Sequence, residues 1–323
     1  MTITKRLLLL AIILTPLYAS AQSDLVVKII PENPGPDEEV LVSLESYSVD
    51  LDTATISWKS GNTTLLSGYG AKRLTTRVGK MGTEKSVSYA ITAGDGTTMR
   101  GSIALSPRSM TLAYESIESY VPPFYEGRSL PGEGSAVRVV ATPNISENNV
   151  SVPLSKFAYS WLINGTYSEN ISGAGKSSAI INLDYLSEAT EVRVVARTPK
   201  GSTVEKTITI RPHLPMPLLY TYDEILGTQF TQLQSKRVET GKPVTFSLEP
   251  YYLSTRGSLA GGALYTWSLD GLPVTPTEKT VLSLRPKENS YGSRILTVAV
   301  DNTRRIFQKA ETSLEIIFDT RAE

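Results

Sequence analysis

The sequence predicts an all-β chain built as three tandem antiparallel β-sandwiches, and three observations predict it. Short runs of alternating apolar and polar residues recur between turn signals, with almost no sustained 3.6-residue periodicity. Each of the three tryptophans lies in such a run: Ala54-Thr55-Ile56-Ser57-Trp58, Phe157-Ala158-Tyr159-Ser160-Trp161 and Ala263-Leu264-Tyr265-Thr266-Trp267. The second and third runs then reverse at Asn164-Gly165 and Asp270-Gly271, dipeptides that favour two-residue hairpin turns. The tryptophans stand 103 and 106 positions apart. Those are domain-sized periods, whereas solenoid repeats of roughly 20 to 50 residues cannot stand alone.

Along the chain, Lys5 and Arg6 precede an apolar run from Leu7 to Leu17, and Ala19-Ser20-Ala21 supplies small residues at a cleavage position. Residues 1–21 therefore read as a secretory signal, with an uncleaved membrane anchor as the alternative. The run is shorter than the ~20 residues a spanning helix needs. Leu25 to Ile30 is the first strand, and the prolines at 31, 34 and 36 end it. Val40, Val42 and Leu44 alternate with Leu41, Ser43 and Glu45 as a strand with one face on a core. Val87, Tyr89 and Ile91 lead to the turn Gly94-Asp95-Gly96, and Ser102 to Leu105 close the first unit near Pro107.

Beyond that point the chain repeats itself. Leu112, Gly134, Val137, Val139, Ala141 and Pro143 match Leu219, Gly241, Val244, Phe246, Leu248 and Pro250, each displaced by 107 positions. A constant offset across six positions argues for duplication. The second and third units each end on a hairpin, 192–210 and 295–318. The expected domains are 22–108, 109–213 and 214–323, with prolines at 212, 215 and 217 stiffening the second seam. The weak helical candidate at 222–234 is left undecided.

The Tyr-x-Trp strand, the Asn-Gly or Asp-Gly turn, and a closing hairpin such as 191–196 with 207–210 resemble the PKD-like and bacterial immunoglobulin-like domains of exported surface proteins. The likeness covers most of the chain after residue 21. The Trp-Asp-Phe-Gly-Asp-Gly run of PKD domains is missing from all three copies, which favours the broader immunoglobulin-like label. The resemblance implies spacer, adhesive or protein-binding duties at a cell surface.

Composition narrows the function classes. Charge is balanced at 32 basic and 32 acidic residues, so no net field draws the chain to nucleic acid. There is no cysteine, which removes disulfides, thiolate metal sites and thiol nucleophiles. His213 is the single histidine, in a proline-rich seam, and no Gly-x-Ser-x-Gly elbow accompanies it. Residues 170–177 approach a phosphate-binding loop but begin with Asn170 where glycine is needed, and a strand-like run follows where a helix is required. The carboxylates at 37–39, 50, 52 and 95 read as solvated turn residues, and five Asn-x-Ser/Thr sequons, at Asn62, Asn144, Asn149, Asn164 and Asn170, as incidental. The expectation is a non-enzyme without cofactor or metal, with a surface hydrolase as the lesser alternative.

Two sets of residues are singled out. Trp58, Trp161 and Trp267 share one place in the repeat, as core residues between sheets would. The loop ahead of each tryptophan strand varies: 18 positions separate Val40 from Trp58, but 24 separate Val137 from Trp161 and 23 separate Val244 from Trp267. In the third unit that loop holds Tyr251, Tyr252 and Arg256, residue types common at binding hot spots, so it is the candidate partner-binding loop. The expected partners are other envelope or surface proteins, with glycans as the alternative. Membrane contact is expected only if the N-terminal segment stays attached.

Overall fold

The computed structural model describes residues 25–231, 233–256 and 261–319. The expected signal, 1–21, lies outside the described residues. In the first sandwich, seven strands form two sheets: β1 (Leu25–Ile30), β2 (Glu39–Ser46), β3 (Thr55–Ser60), β4 (Thr63–Tyr69), β5 (Arg73–Arg77), β6 (Lys85–Thr92) and β7 (Thr98–Leu105). Their order is β1-β2-β5 in one sheet and β4-β3-β6-β7 in the other.

The second sandwich uses β8 (Arg108–Ser116), β9 (Ala136–Glu147), β10 (Val150–Ser151), β11 (Ala158–Ile163), β12 (Thr166–Tyr167), β13 (Gly173–Ala174), β14 (Ser178–Asn182), β15 (Thr190–Arg197) and β16 (Thr203–Ile210). Here β8 and β14 flank β9, facing the sheet β12-β11-β15-β16. The third comprises β17 (Met216–Asp223), β18 (Gly227–Gln229), β19 (Ser235–Glu239), β20 (Val244–Tyr251), β21 (Ala263–Leu269), β22 (Leu272–Pro273), β23 (Val281–Leu284), β24 (Gly292–Asn302) and β25 (Lys309–Asp319). Its sheets are β18-β17-β20-β23 and β19-β25-β24-β21-β22. The described pairs are antiparallel except β19 with β25, which is parallel.

In immunoglobulin lettering, each sandwich packs an A-B-E sheet against a C′-C-F-G sheet, so the three are tandem immunoglobulin-like sandwiches. Each has its own apolar core, built where alternation sends every second side chain inward. Strand β9 shows the pattern, with Val137, Val139, Ala141 and Ile145 buried and Arg138, Val140 and Thr142 exposed.

The tryptophans lie on the C strands β3, β11 and β21, at most 1 % exposed. Each indole N–H finds a carbonyl in the segment entering strand E: Trp58 Nε1 donates to Ala71 at 2.7 Å, Trp161 to Lys176 at 3.0 Å, and Trp267 to Lys279 at 3.2 Å. The next carbonyl in each segment, of Lys72, Ser177 or Thr280, accepts from strand B at Leu44, Ala141 or Leu248. The same two-bond tie thus joins the sheets in all three copies and leaves no buried indole donor unsatisfied.

The hairpin turns repeat as well. Asn164 and Gly165 have φ of 48° and 77°, and Asp270 and Gly271 have 48° and 78°, the left-handed pair a type I′ turn demands. Asn164 Oδ1 accepts from the Glu191 amide and Asp270 Oδ1 from the Ile295 amide, both at 2.8 Å. The Asn164 sequon side chain thus serves the turn. The loop resembling a phosphate-binding run is committed to packing: Ser172 Oγ accepts from the Trp161 amide at 2.9 Å, and Lys176 supplies the indole's carbonyl. Within the undecided segment 222–234, residues 222–229 belong to a hairpin, because Asp223 Oδ1 accepts from the amides of Ile225 and Leu226 and turns the chain into β18.

The chain divides into two compact units. One takes the chain up to Gly79 and Glu84–Leu105 and holds the first sandwich; the other takes Lys80–Thr83 and the chain from Ser106 and holds the second and third together. The proline-rich stretch 211–217 is therefore an internal seam of one unit.

Candidate functional site

The seam of the second unit is built chiefly by residues 117–135, the connection between β8 and β9. This segment crosses to the third sandwich and meets the loop after β20 and the turn between β24 and β25. Backbone bonds set the contact: the Tyr120 amide donates to Leu253 O at 2.7 Å, and the amides of Thr255 and Arg256 donate to Glu118 O at 3.1 and 2.9 Å. Ser119 bridges Ser254, and Gly132 bridges His213. The His213 amide donates to Pro131 O at 2.8 Å. A Cβ on Gly132 would lie 1.9 Å from Tyr252 O, so only glycine permits this approach.

Polar side chains fill the space between the two cores. Gln308, fully buried, accepts at Oε1 from the Ser254 amide (2.8 Å) and Asn302 Nδ2 (2.9 Å), and donates from Nε2 to Glu133 O (2.7 Å) and Ser254 Oγ (2.8 Å). Asn302 Nδ2 also donates to Ser254 O at 2.8 Å. Ser116, Ser119, Ser129 and Ser135 are buried beside them, Ser119 Oγ accepting from the Gly132 amide at 3.1 Å. A network this satisfied fixes one mutual placement, because any shift strands several buried donors at once.

Two charged contacts flank it. Arg305 pairs with Glu118 at 2.8 Å with both side chains mostly buried, and donates to Tyr185 Oη at 3.3 Å. The Arg305 Nε is buried without a hydrogen-bond partner among the described residues. On the other flank Tyr120 donates its hydroxyl to Glu249, which is 3 % exposed and also accepts from Thr228 and Ser247. Burial, then the bond to the Glu249 carboxylate, pushes the Tyr120 phenol well above its ordinary value.

The candidate loop residues sit at this same seam. Tyr251 ends β20, half-buried, its ring centroid 6.3 Å from that of Tyr120 in an edge-on contact. Tyr252 has φ of +63° and stacks on His213 at 4.6 Å. Arg256 joins through its backbone amide and keeps its side chain exposed. The two tyrosine rings thus face the second sandwich, and with Tyr120, Tyr125 and Arg128 they line a cavity of about 110 Å³. Sequence reasoning picked out neither Gln308, Asn302, Glu118 nor Arg305. The signal that pointed to their region was the variable loop ahead of the third tryptophan strand, which holds Tyr251, Tyr252 and Arg256.

Above the seam, residues 121–127 form a tip. Phe124 is 100 % exposed with φ of +61°, a costly conformation for a bulky residue, and Tyr125 is 52 % exposed. The Arg128 guanidinium lies 4.3 Å over the Tyr114 ring. The carboxylates at 50, 52 and 95 serve local structure: Asp50 accepts from the Asp52 amide, Asp52 pairs with Lys72 at 2.8 Å, and the Thr97 amide holds Asp95 below the usual carboxylate range. Among the described residues there is no group of three or more acidic or histidine side chains placed to hold a metal. No described helix is long and apolar enough to cross a membrane.

No protein-family model matches the chain, and no curated protein does. Solved structures align with the chain at low identity. The fibronectin(III)-like modules of Clostridium thermocellum CbhA align at 11 % identity over 58 % of this chain and 94 % of theirs, TM-score 0.27. The central fibronectin-III array of RIM-binding protein aligns at 13 % over 92 % and 96 %, TM-score 0.30. SGBP-B of the Bacteroides ovatus mixed-linkage glucan utilization locus, in complex with a heptasaccharide, aligns at 11 % over 88 % and 65 %, TM-score 0.21.

Proposed function

We propose that the chain is an exported, non-catalytic scaffold at the cell surface or envelope, a PKD-like or immunoglobulin-like array with modules 22–108, 109–213 and 214–323 behind a signal at 1–21. The observation that carries this reading is the seam: a satisfied polar network holds sandwiches two and three in one arrangement while the Phe124 tip stays exposed. A locked pair suits an element that holds components at a fixed spacing, and an exposed aromatic on a strained turn is a contact residue in search of a pocket. Chemical cross-linking on intact cells, read by mass spectrometry, tests it. Reproducible links from 121–128 to a small set of envelope proteins, lost in Phe124→Ala, are the expected result. Links to none sink the adaptor role.

A second reading, glycan binding, is favoured by the cavity that Tyr120, Tyr125, Tyr251, Tyr252 and Arg128 share. Aromatic faces with a few polar groups suit a sugar. Glycan-array binding that disappears in Tyr125→Ala, with folding intact, would decide for it.

A further inference from the structure

The three sandwiches treat one shared feature, the outer edge of strand G, in three ways. In the third, β19 runs parallel along β25 and covers the edge, its Val238 buried. The second leaves β16 as the last strand of its sheet, but a charge guards it. Pairing places Trp161 beside Val194 and Val194 beside Lys206, so Lys206 stands on the core-facing side of β16 yet is exposed. An inward lysine on an edge strand blocks further pairing. In the first sandwich the same row runs Trp58, Tyr89, Gly101, and in the third Trp267, Val298, Thr312. The guard position on β7 is thus a glycine, with the Tyr89 ring lying where its Cβ would be.

Strand β7 is eight residues long and pairs only with β6 among the described residues. Its core-facing side is Met99, Gly101, Ile103 and Leu105, and its outer side is Thr98, Arg100, Ser102 and Ala104, so Arg100 is its one charge. Of the other outer strands of this sandwich, β4 carries a bulge opposite Trp58 and Lys59 of β3, β5 begins and ends in arginine, and the six-residue β1 carries Lys28 and stops at Pro31.

We infer that β7 pairs antiparallel with β7 of a second copy of this chain about a twofold axis through Gly101, joining two four-stranded sheets into one. Side chains directly opposite must share a face, so the axis must pass through a residue. An axis at Arg100 would set two arginines against each other. An axis at Gly101 pairs Thr98 with Ala104, Met99 with Ile103 and Arg100 with Ser102, setting the apolar Met99 and Ile103 opposite each other, placing no charge against itself and engaging residues 98–104. A foreign strand lying parallel, as β19 lies on β25, is the competing occupant.

Sedimentation equilibrium of the full chain lacking residues 1–21 tests the pairing. A monomer–dimer equilibrium is expected. Ser102→Arg, exposed and on the outer face, should raise the dimer Kd about tenfold by placing arginine opposite Arg100 twice. Ser102→Glu should tighten the dimer. Thr207→Arg on the edge of β16 should leave it unchanged. A monomer at every concentration, indifference to Ser102→Arg, or dissociation by Thr207→Arg instead would each overturn the assignment. None of these outcomes bears on the envelope-partner reading, which concerns the second unit.

Discussion

Residues 117–135 and residues 224–243 occupy the same place in the repeat, between strands A and B, and do opposite work. In the third sandwich the connection stays home, giving β18 to the A strand and β19 to the edge of β25. In the second it leaves its own sandwich and locks onto the third, so that β16 is left to Lys206 for protection. One insertion site can therefore stabilise a module or join two, and the chemistry differs accordingly. The strand solution buries apolar Val238, whereas the joining solution buries serine, glutamine and asparagine in a hydrogen-bonded network.

Changes aimed at the two connections should separate these roles. Gly132→Ala should have the largest effect, about 3 kcal/mol, since its methyl meets backbone at Tyr252. Calorimetry should then show the second and third sandwiches melting separately where they melted together. Gln308→Ala removes four bonds and strands the Ser254 amide and Glu133 carbonyl; a loss of about 2 to 3 kcal/mol is expected, with hydrogen exchange rising at 117–135. Val238→Ala in β19 should cost about 1 to 2 kcal/mol, confined to the third sandwich, with the seam's exchange unchanged.

The seam should also respond to alkali. The Tyr120 phenol is raised in the folded chain, so its stabilising contribution is complete below the unfolded value of about 10 and falls as pH climbs above it. Tyr120→Phe should flatten part of that alkaline loss in a pH series of melting curves. The smallest effect is expected from Lys242→Ala in the third connection, whose exposed pair with Glu239 contributes at most about 0.5 kcal/mol. A larger loss there would undo the distinction between buried and exposed polar contacts.

The sandwich cores were legible because burial imposes a period of two on the chain, and Val137-Arg138-Val139-Val140-Ala141 shows it directly. The Asn164-Gly165 and Asp270-Gly271 turns were legible because few dipeptides tolerate two left-handed residues. The seam was not legible for the converse reason. Ser119, Ser254, Asn302 and Gln308 meet across long separations with no periodicity, and each is a common surface residue when read alone. Likewise the prolines of 211–217 announced stiffness, but the amide of His213 reaching Pro131 O is invisible without the fold. Tyr251 and Tyr252 were singled out for their residue type, which marks interfaces and does not tell an internal one from an external one.

The tryptophan tie has an optical consequence. Each sandwich holds a single indole, buried and donating to a carbonyl that only the closed sandwich presents. Opening any one sandwich exposes its own chromophore to water, so the emission of the unlabelled chain is a sum of three separate reporters. With two of the three replaced by phenylalanine, the fluorescence of the survivor follows its own sandwich alone, and the chain becomes a ruler for which part yields first under heat or load.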